Sequence, residues 1–243
     1  MKKILSIILA YTFLLTVLVL PINALDNLVV SIPEDVHTYE NTNNSWYKEA
    51  KNFVCFEWLL TYQVTRVEVI EYDWHHYYYS FFGEREITRA EVATVIHRYD
   101  WNYDTLGGYK NSICTVFKDI PDGKWMTPAV QWAAECGIVN GVGGKYFAPK
   151  RTITREEFAT VMYRYTRFKE IECDTTADIS TYPDSAEVSS WAADAMAWAV
   201  GEGLISGKPG GLLAPQDTIT RAEVALIVYR YNNAVLAHRD NMK

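Results

Sequence analysis

Cations, glycine, proline and cysteine are all in short supply in this chain. Its 243 residues hold 13 Gly and 8 Pro, too few for a collagen-like or linker-dominated polypeptide. Lys and Arg total 23 against 30 Asp and Glu, a net charge of −7. Nonspecific nucleic-acid binding needs a dense cationic face to displace phosphate counterions, so that class is excluded. No Cys-x-x-Cys pair and no Cys/His set at zinc spacing occurs, so no metal site and no cofactor is expected. The adjacent His75 and His76 are not read as ligands, because neighbouring residues rarely converge on one ion. Gly-x-Ser-x-Gly, His-Glu-x-x-His and a phosphate-binding glycine loop are missing too. Glu156 and Glu157 are adjacent and point in different directions on a helix, so they form no acid pair. No catalytic residue is assigned, and the chain is read as not an enzyme. What it does have is apolar residues, 49 %, and aromatics, 14 %, including 17 Tyr and 8 Trp. That is enough to bury a core.

The first 24 residues stand apart. Met1-Lys2-Lys3, an apolar run from Ile4 to Leu20, and Pro21-Ile22-Asn23-Ala24 follow the order of a secretory signal peptide. The competing reading is a membrane anchor, but the breaker and Ala24 directly after the run favour the signal. With residues 1–24 removed, two lysines and no acid are lost, the net charge becomes −9, and no membrane span is expected. For Cys55, Cys114, Cys136 and Cys173 in an exported chain, two disulfides and four buried thiols are both open readings.

A period of 66 residues organises the remainder. Ile87-Thr88-Arg89-Ala90-Glu91 recurs as Ile153-Thr154-Arg155-Glu156-Glu157 and as Ile219-Thr220-Arg221-Ala222-Glu223. Trp125, Trp132, Gly137, Gly141 and Pro149 recur as Trp191, Trp198, Gly203, Gly207 and Pro215. Each unit reads as two helices around a structured loop. The first helix is expected to carry Trp125, Ala129, Trp132, Ala133 and Cys136 on one face and to end at Gly137. The second carries a core stripe: Val92, Val95, Ile96 and Tyr99, then Phe158, Val161, Met162 and Tyr165, then Val224, Ile227, Val228 and Tyr231. The expected units are 46–100, 117–168 and 182–233, after a connector at 25–45; 101–116 and 167–181 read as linkers. The first unit is degenerate. Trp46, Ala50 and Phe53 align, the glycine turn is missing, and 61–82 is an aromatic-rich insert that reads as a strand pair or an irregular loop.

Thr88-x-x-Glu91, Thr154-x-x-Glu157 and Thr220-x-x-Glu223 are capping boxes, in which the Thr oxygen accepts from a first-turn N–H and the Glu returns to the Thr amide. The arginine inside each box needs another explanation. Arg89, Arg155 and Arg221 occupy the first helical position, where a cation sits against the positive end of the helix dipole. They are expected to face outward toward an anion, which would meet a guanidinium and free helix N–H groups together. The competing reading is a salt bridge to an Asp of the neighbouring unit, Asp119 or Asp184.

Phe117-Lys118-Asp119, Trp125, Gly137-Ile138-Val139-Asn140-Gly141, Phe147-Ala148-Pro149 and Ile153-Thr154-Arg155-Glu156-Glu157 together resemble an S-layer homology repeat. Tyr182-Pro183-Asp184, Trp191, Gly203 to Gly207, Ala214-Pro215 and Ile219 to Glu223 resemble a second. The resemblance implies a mainly α fold of three tandem helix–loop–helix repeats in a pseudo-threefold helical bundle. It implies a non-catalytic anchor of an exported bacterial protein at the cell wall or S-layer. The implied ligand is an anionic, often pyruvylated, secondary cell-wall polysaccharide, or another peptidoglycan-linked glycan, held in grooves between repeats. Mapped residue by residue, the polymer-binding positions are Arg89, Arg155, Arg221, Asp119, Asp184, Trp125 and Trp191. The two Trp read equally as core residues or as platforms for a sugar ring. The alternative is a structural or protein-binding scaffold of the cell envelope that uses segment 61–82 to hold a protein partner.

Overall fold

The computed structural model describes residues 63–70, 74–80, 82–101, 111–172 and 175–241. Residues 1–62 lie outside it, and with them the signal peptide, the connector and the first half of the first unit. The described residues are mainly helical. Helices α1 (Arg89–Trp101), α3 (Arg155–Phe168) and α5 (Arg221–Asn241) follow the three capping boxes. Helices α2 (Thr127–Glu135) and α4 (Ala193–Gly201) precede the second and third. Two strands, β1 (Gln63–Ile70) and β2 (Trp74–Ser80), pair antiparallel with Val67 opposite Tyr77 and a register shift between Val64 and Arg66.

Each box closes as its chemistry requires. Glu91 N, Glu157 N and Glu223 N donate to Thr88, Thr154 and Thr220 Oγ1 at 3.4, 3.3 and 3.2 Å. In return the amides of Thr88, Thr154 and Thr220 donate to the Glu carboxylates at 2.9, 3.0 and 2.8 Å.

The residue before each box ties the repeats together. Ile87 N donates to Ile219 O, Ile153 N to Ile87 O, and Ile219 N to Ile153 O, at 3.1–3.2 Å, so the three bonds close on themselves. Two positions further, Arg89 N, Arg155 N and Arg221 N reach the carbonyls of Arg151, Asp217 and Arg85. All three isoleucines are at most 1 % exposed. At the far end of the long helices, the rings of Tyr99, Tyr165 and Tyr231 meet pairwise at 5.9–6.1 Å. Their hydroxyls each bond the residue following another of the three tyrosines. Tyr99 donates to Asn232 Oδ1, Tyr165 donates to Asp100 Oδ1, and Tyr231 accepts from Thr166 Oγ1. Burial first, and then the nearby Asp100 carboxylate, push the Tyr165 phenol far above its ordinary pKa.

The turn leading into each box also repeats. Phe82, Ala148 and Ala214 all take positive φ, at 50, 59 and 50°, and each carbonyl accepts from the amide three residues on. The first unit therefore keeps this turn although its sequence there, Phe82-Gly83, has lost the Ala-Pro pair. Gly137 and Gly203 end α2 and α4 at φ 70 and 67°, the left-handed position expected of a C′ glycine. Gly141 is dictated by packing, since a Cβ there would stand 2.6 Å from Tyr146 O and 2.8 Å from Phe117 Cε1. The stretch 175–177 is held against α4, where Ala177 N donates to Ala197 O and a Cβ on Gly201 would meet Thr176 Cα at 2.8 Å.

One sequence expectation needs correction here. Trp125 and Trp191 do not lie on the first helix of their units. Helix α2 begins at Thr127 with Pro128 in its first turn, α4 begins at Ala193, and the two rings are 45 % and 55 % exposed. The core tryptophan is Trp198, 2 % exposed, while Trp132 is half-buried between His97 and Phe168. Cys114 and Cys136 are free thiols, so no disulfide joins them; Cys55 and Cys173 lie outside the described residues.

Candidate functional site

The arginines of the boxes are not aimed at solvent. Arg89, Arg155 and Arg221 are 8, 4 and 4 % exposed, and the first two cross from their own helix into the following unit. Arg89 Nε donates to Phe147 O at 2.9 Å and Nη2 to Asn140 O at 2.6 Å. Its guanidinium also lies 4.7 Å from the centroid of the Phe147 ring. Arg155 repeats this one unit on, with Nε on Leu213 O at 3.2 Å and Nη2 on Ser206 O at 2.9 Å. At the first helical position a cation gains nothing from the dipole of its own helix. Instead of the outward-facing anion expected, Arg89 and Arg155 meet a set of carbonyls of the following unit.

The ion-pair partner also differs from expectation. Arg155 Nη1 meets Glu223 at 2.8 Å, and Arg89 Nη1 stands 3.7 Å from Glu157. The capping Glu of each following repeat thus serves two roles, closing its own helix and receiving the previous arginine. Glu157 is further bound by Arg151 at 2.5 Å, and Glu91 by Arg85 at 2.6 Å. Burial alone would raise these two carboxyls, but the arginine hydrogen bonds and the Thr amides outweigh it and hold both below the usual range. Burial pulls the Arg89 guanidinium below its ordinary value, and the Glu157 charge opposes it.

Asp119 and Asp184 act on backbone instead. Asp119 accepts from Phe147 N and Ala148 N at 2.8 and 2.7 Å. Asp184 accepts from Leu213 N and Ala214 N at the same distances. Desolvation pushes the Asp184 carboxyl up, but these two amides outweigh it and hold it low. Each Asp therefore fixes the strained turn whose carbonyl receives the arginine. The sequence signal for this was an Asp recurring ahead of an Ala-Pro turn in both complete units.

Sequence reasoning missed one residue. Glu156 is 2 % exposed and reaches into the third unit, accepting from Ser189 N at 2.9 Å, Ser189 Oγ at 2.8 Å and Gln216 Nε2 at 2.9 Å. Trp191, the exposed ring, follows two residues after Ser189. The junction between the second and third units thus gathers a helix N-terminus, a buried guanidinium, a captured carboxylate and an uncovered indole.

The S-layer homology domain family matches residues 116–159 and 181–225. These two segments are S-layer homology repeats. The repeats are shared with a cellulosome-anchoring protein of Acetivibrio thermocellus, 33 % identical over 167 residues, covering 66 % of this chain and 36 % of that protein. They are shared also with a surface-layer 125 kDa protein of Lysinibacillus sphaericus, 31 % identical over 60 % of this chain and 12 % of that one. An amylopullulanase of Thermoanaerobacterium thermosulfurigenes is 33 % identical over 60 % of this chain and 7 % of its own length. The chain spans about a third or less of each of these relatives. Among its described residues, no helix is long and apolar enough to cross a membrane.

Proposed function

We propose that this chain is a non-catalytic anchoring module of the cell surface, binding an anionic secondary cell-wall polysaccharide, pyruvylated on an amino sugar, between adjacent repeats. In this reading residues 46–100 are a degenerate first repeat carrying an aromatic insert, and 117–168 and 182–233 are complete ones. The three close as a pseudo-threefold helical bundle, which the cyclic Ile87, Ile153 and Ile219 bonds support. The single observation that carries the binding reading is the repeated, uncovered tryptophan. Trp125 and Trp191 are exposed, whereas seven residues on Trp132 is half-buried against the core and Trp198 is in it, and an indole face in water beside a junction is what a sugar ring stacks on. Arg89, Arg155 and Arg221 contribute a positive field from beneath, with Asp119 and Asp184 fixing the turns. The family names of the relatives, surface-layer and cellulosome-anchoring, agree with a location at the cell wall.

The test is co-sedimentation of the chain lacking residues 1–24 with cell-wall sacculi, before and after chemical extraction of the wall polymer. Sedimentation that disappears on extraction, and that is lost in Trp125→Ala/Trp191→Ala, is the expected result. Sedimentation that survives both rejects the reading. It would favour the scaffold alternative, in which the two-stranded β1–β2 hairpin, with no third strand among the described residues, offers an edge to a protein partner.

A further inference from the structure

The two junctions between adjacent repeats are built on one plan and differ at three positions. At the second–third junction these are Glu156, Ser189 and Gln216. At the first–second junction the equivalent residues are Ala90, Gly123 and Lys150. Position 156 is a buried site in all three repeats, since Ala90 and Ala222 are 2 and 0 % exposed. Only the second repeat places a carboxylate there. That carboxylate is surrounded by two N–H donors and one O–H donor from the third repeat, the set of contacts by which a protein holds an anion. At the first–second junction the equivalent residue, Ala90, brings no carboxylate.

Charge follows the same division. The second repeat carries Lys118, Lys124, Lys145, Lys150 and Arg151, all exposed. The third carries Pro183, Ser190, Gly211, Gln216 and Asp217 in their stead. The guanidinium beneath each junction differs as well. Arg155 is locked at 2.8 Å onto Glu223, whereas Arg89 Nη1 stands 3.7 Å from Glu157, beyond hydrogen-bonding range, because Arg151 has taken that carboxylate. At the third–first junction the Gln216 position is Glu84, also exposed, which repels an anion.

Resting on the anchoring function above, we propose that Glu156 seals the second–third junction with the chain's own carboxylate, so that the glycan carboxylate is taken at the first–second junction alone. There the position of Glu156 is held by Ala90 and carries no carboxylate, Lys150 supplies the charge where Gln216 stands in the other junction, and Lys124 and Trp125 flank the sugar. Glu156 is thus a specificity-determining residue that sets one working site per chain. Removing its side chain restores the alanine that the other two repeats carry.

The experiment is calorimetric titration of the chain with a methyl glycoside of a pyruvyl-ketal N-acetylhexosamine, with folding followed by circular dichroism. The wild-type protein should bind one equivalent. Glu156→Ala should bind two, the added site being the weaker for want of a lysine. Lys150→Gln, an exposed change that leaves packing alone, should weaken wild-type binding at least tenfold, the loss of one charge-assisted contact. The graft Ala90→Glu/Gly123→Ser/Lys150→Gln should abolish it. Two equivalents bound by wild type, or one still bound by folded Glu156→Ala, overturns the assignment of Glu156 and leaves the anchoring function standing. Affinity unchanged by Lys150→Gln overturns the choice of junction even where the other variants fail to fold. No heat from wild type and Glu156→Ala alike overturns the pyruvylated-glycan reading, and this inference with it.

Discussion

The inner seam and the outer turns of this protein obey different rules. Along the seam, three units agree atom for atom: the isoleucine bonds, the tyrosine ring contacts and the capping boxes recur with distances within a few tenths of an ångström. At the outer turns the same backbone carries five cations in one repeat and none at the equivalent positions of the next. A close-packed seam tolerates little variation because each residue there is neighbour to its own copies. A turn fixed by an aspartate and a buried arginine can exchange its outward side chains freely.

That contrast can be broken at several points. The largest effect belongs to the arginines that connect seam to turn. Arg155→Ala leaves Glu223 and two carbonyls without their donor, and should cost about 3–5 kcal/mol in chemical denaturation. Arg89→Ala should cost less, its ion pair being longer. Ile153→Ala in the seam should cost about 2–5 kcal/mol through the cavity it opens, measured the same way. A loss under ~1 kcal/mol at either site would mean that the seam does not hold the repeats together. Thr154→Ala should cost ~1 kcal/mol, the value of an N-cap.

Acid should act on the seam before the turns. Glu91 and Glu157 have folded-state values held below the 4.5 of a free glutamate. Their stabilisation is therefore complete above that value, declines as pH falls from it, and is gone below the folded values. His97 is shifted down by burial from 6.5, so folding binds fewer protons and stability declines earlier, as pH falls through 6.5. A melting temperature independent of pH from 8 to 3 would contradict both. The smallest effect on folding is expected at the outer ring: Trp125→Ala should change stability by ~0.5 kcal/mol or less while removing sacculus binding.

Much of the seam was readable from sequence because it depends on local rules. The 66-residue period, the Thr-x-x-Glu boxes and the stripe of Val92, Val95 and Ile96 each follow from a helix considered by itself. The junctions were less readable. Arg89 finds its acceptors 51 and 58 residues away, and on an isolated helix the same residue would face water. Trp125 was placed on α2 by its spacing to Ala129 and Trp132, although Pro128 marks the start of the helix after it. Glu156 was set aside as half of an acid pair, when its departure from the alanine at 90 and 222 was the more informative sign.

The ring of backbone bonds also dictates an order of events. Tyr99 and Asn232, 133 residues apart, must meet for the far end of the seam to close, and Ile87 waits likewise for Ile219. A chain emerging amino end first cannot complete its first unit until the last has arrived. Contacts so distant in sequence make closure of the seam slow.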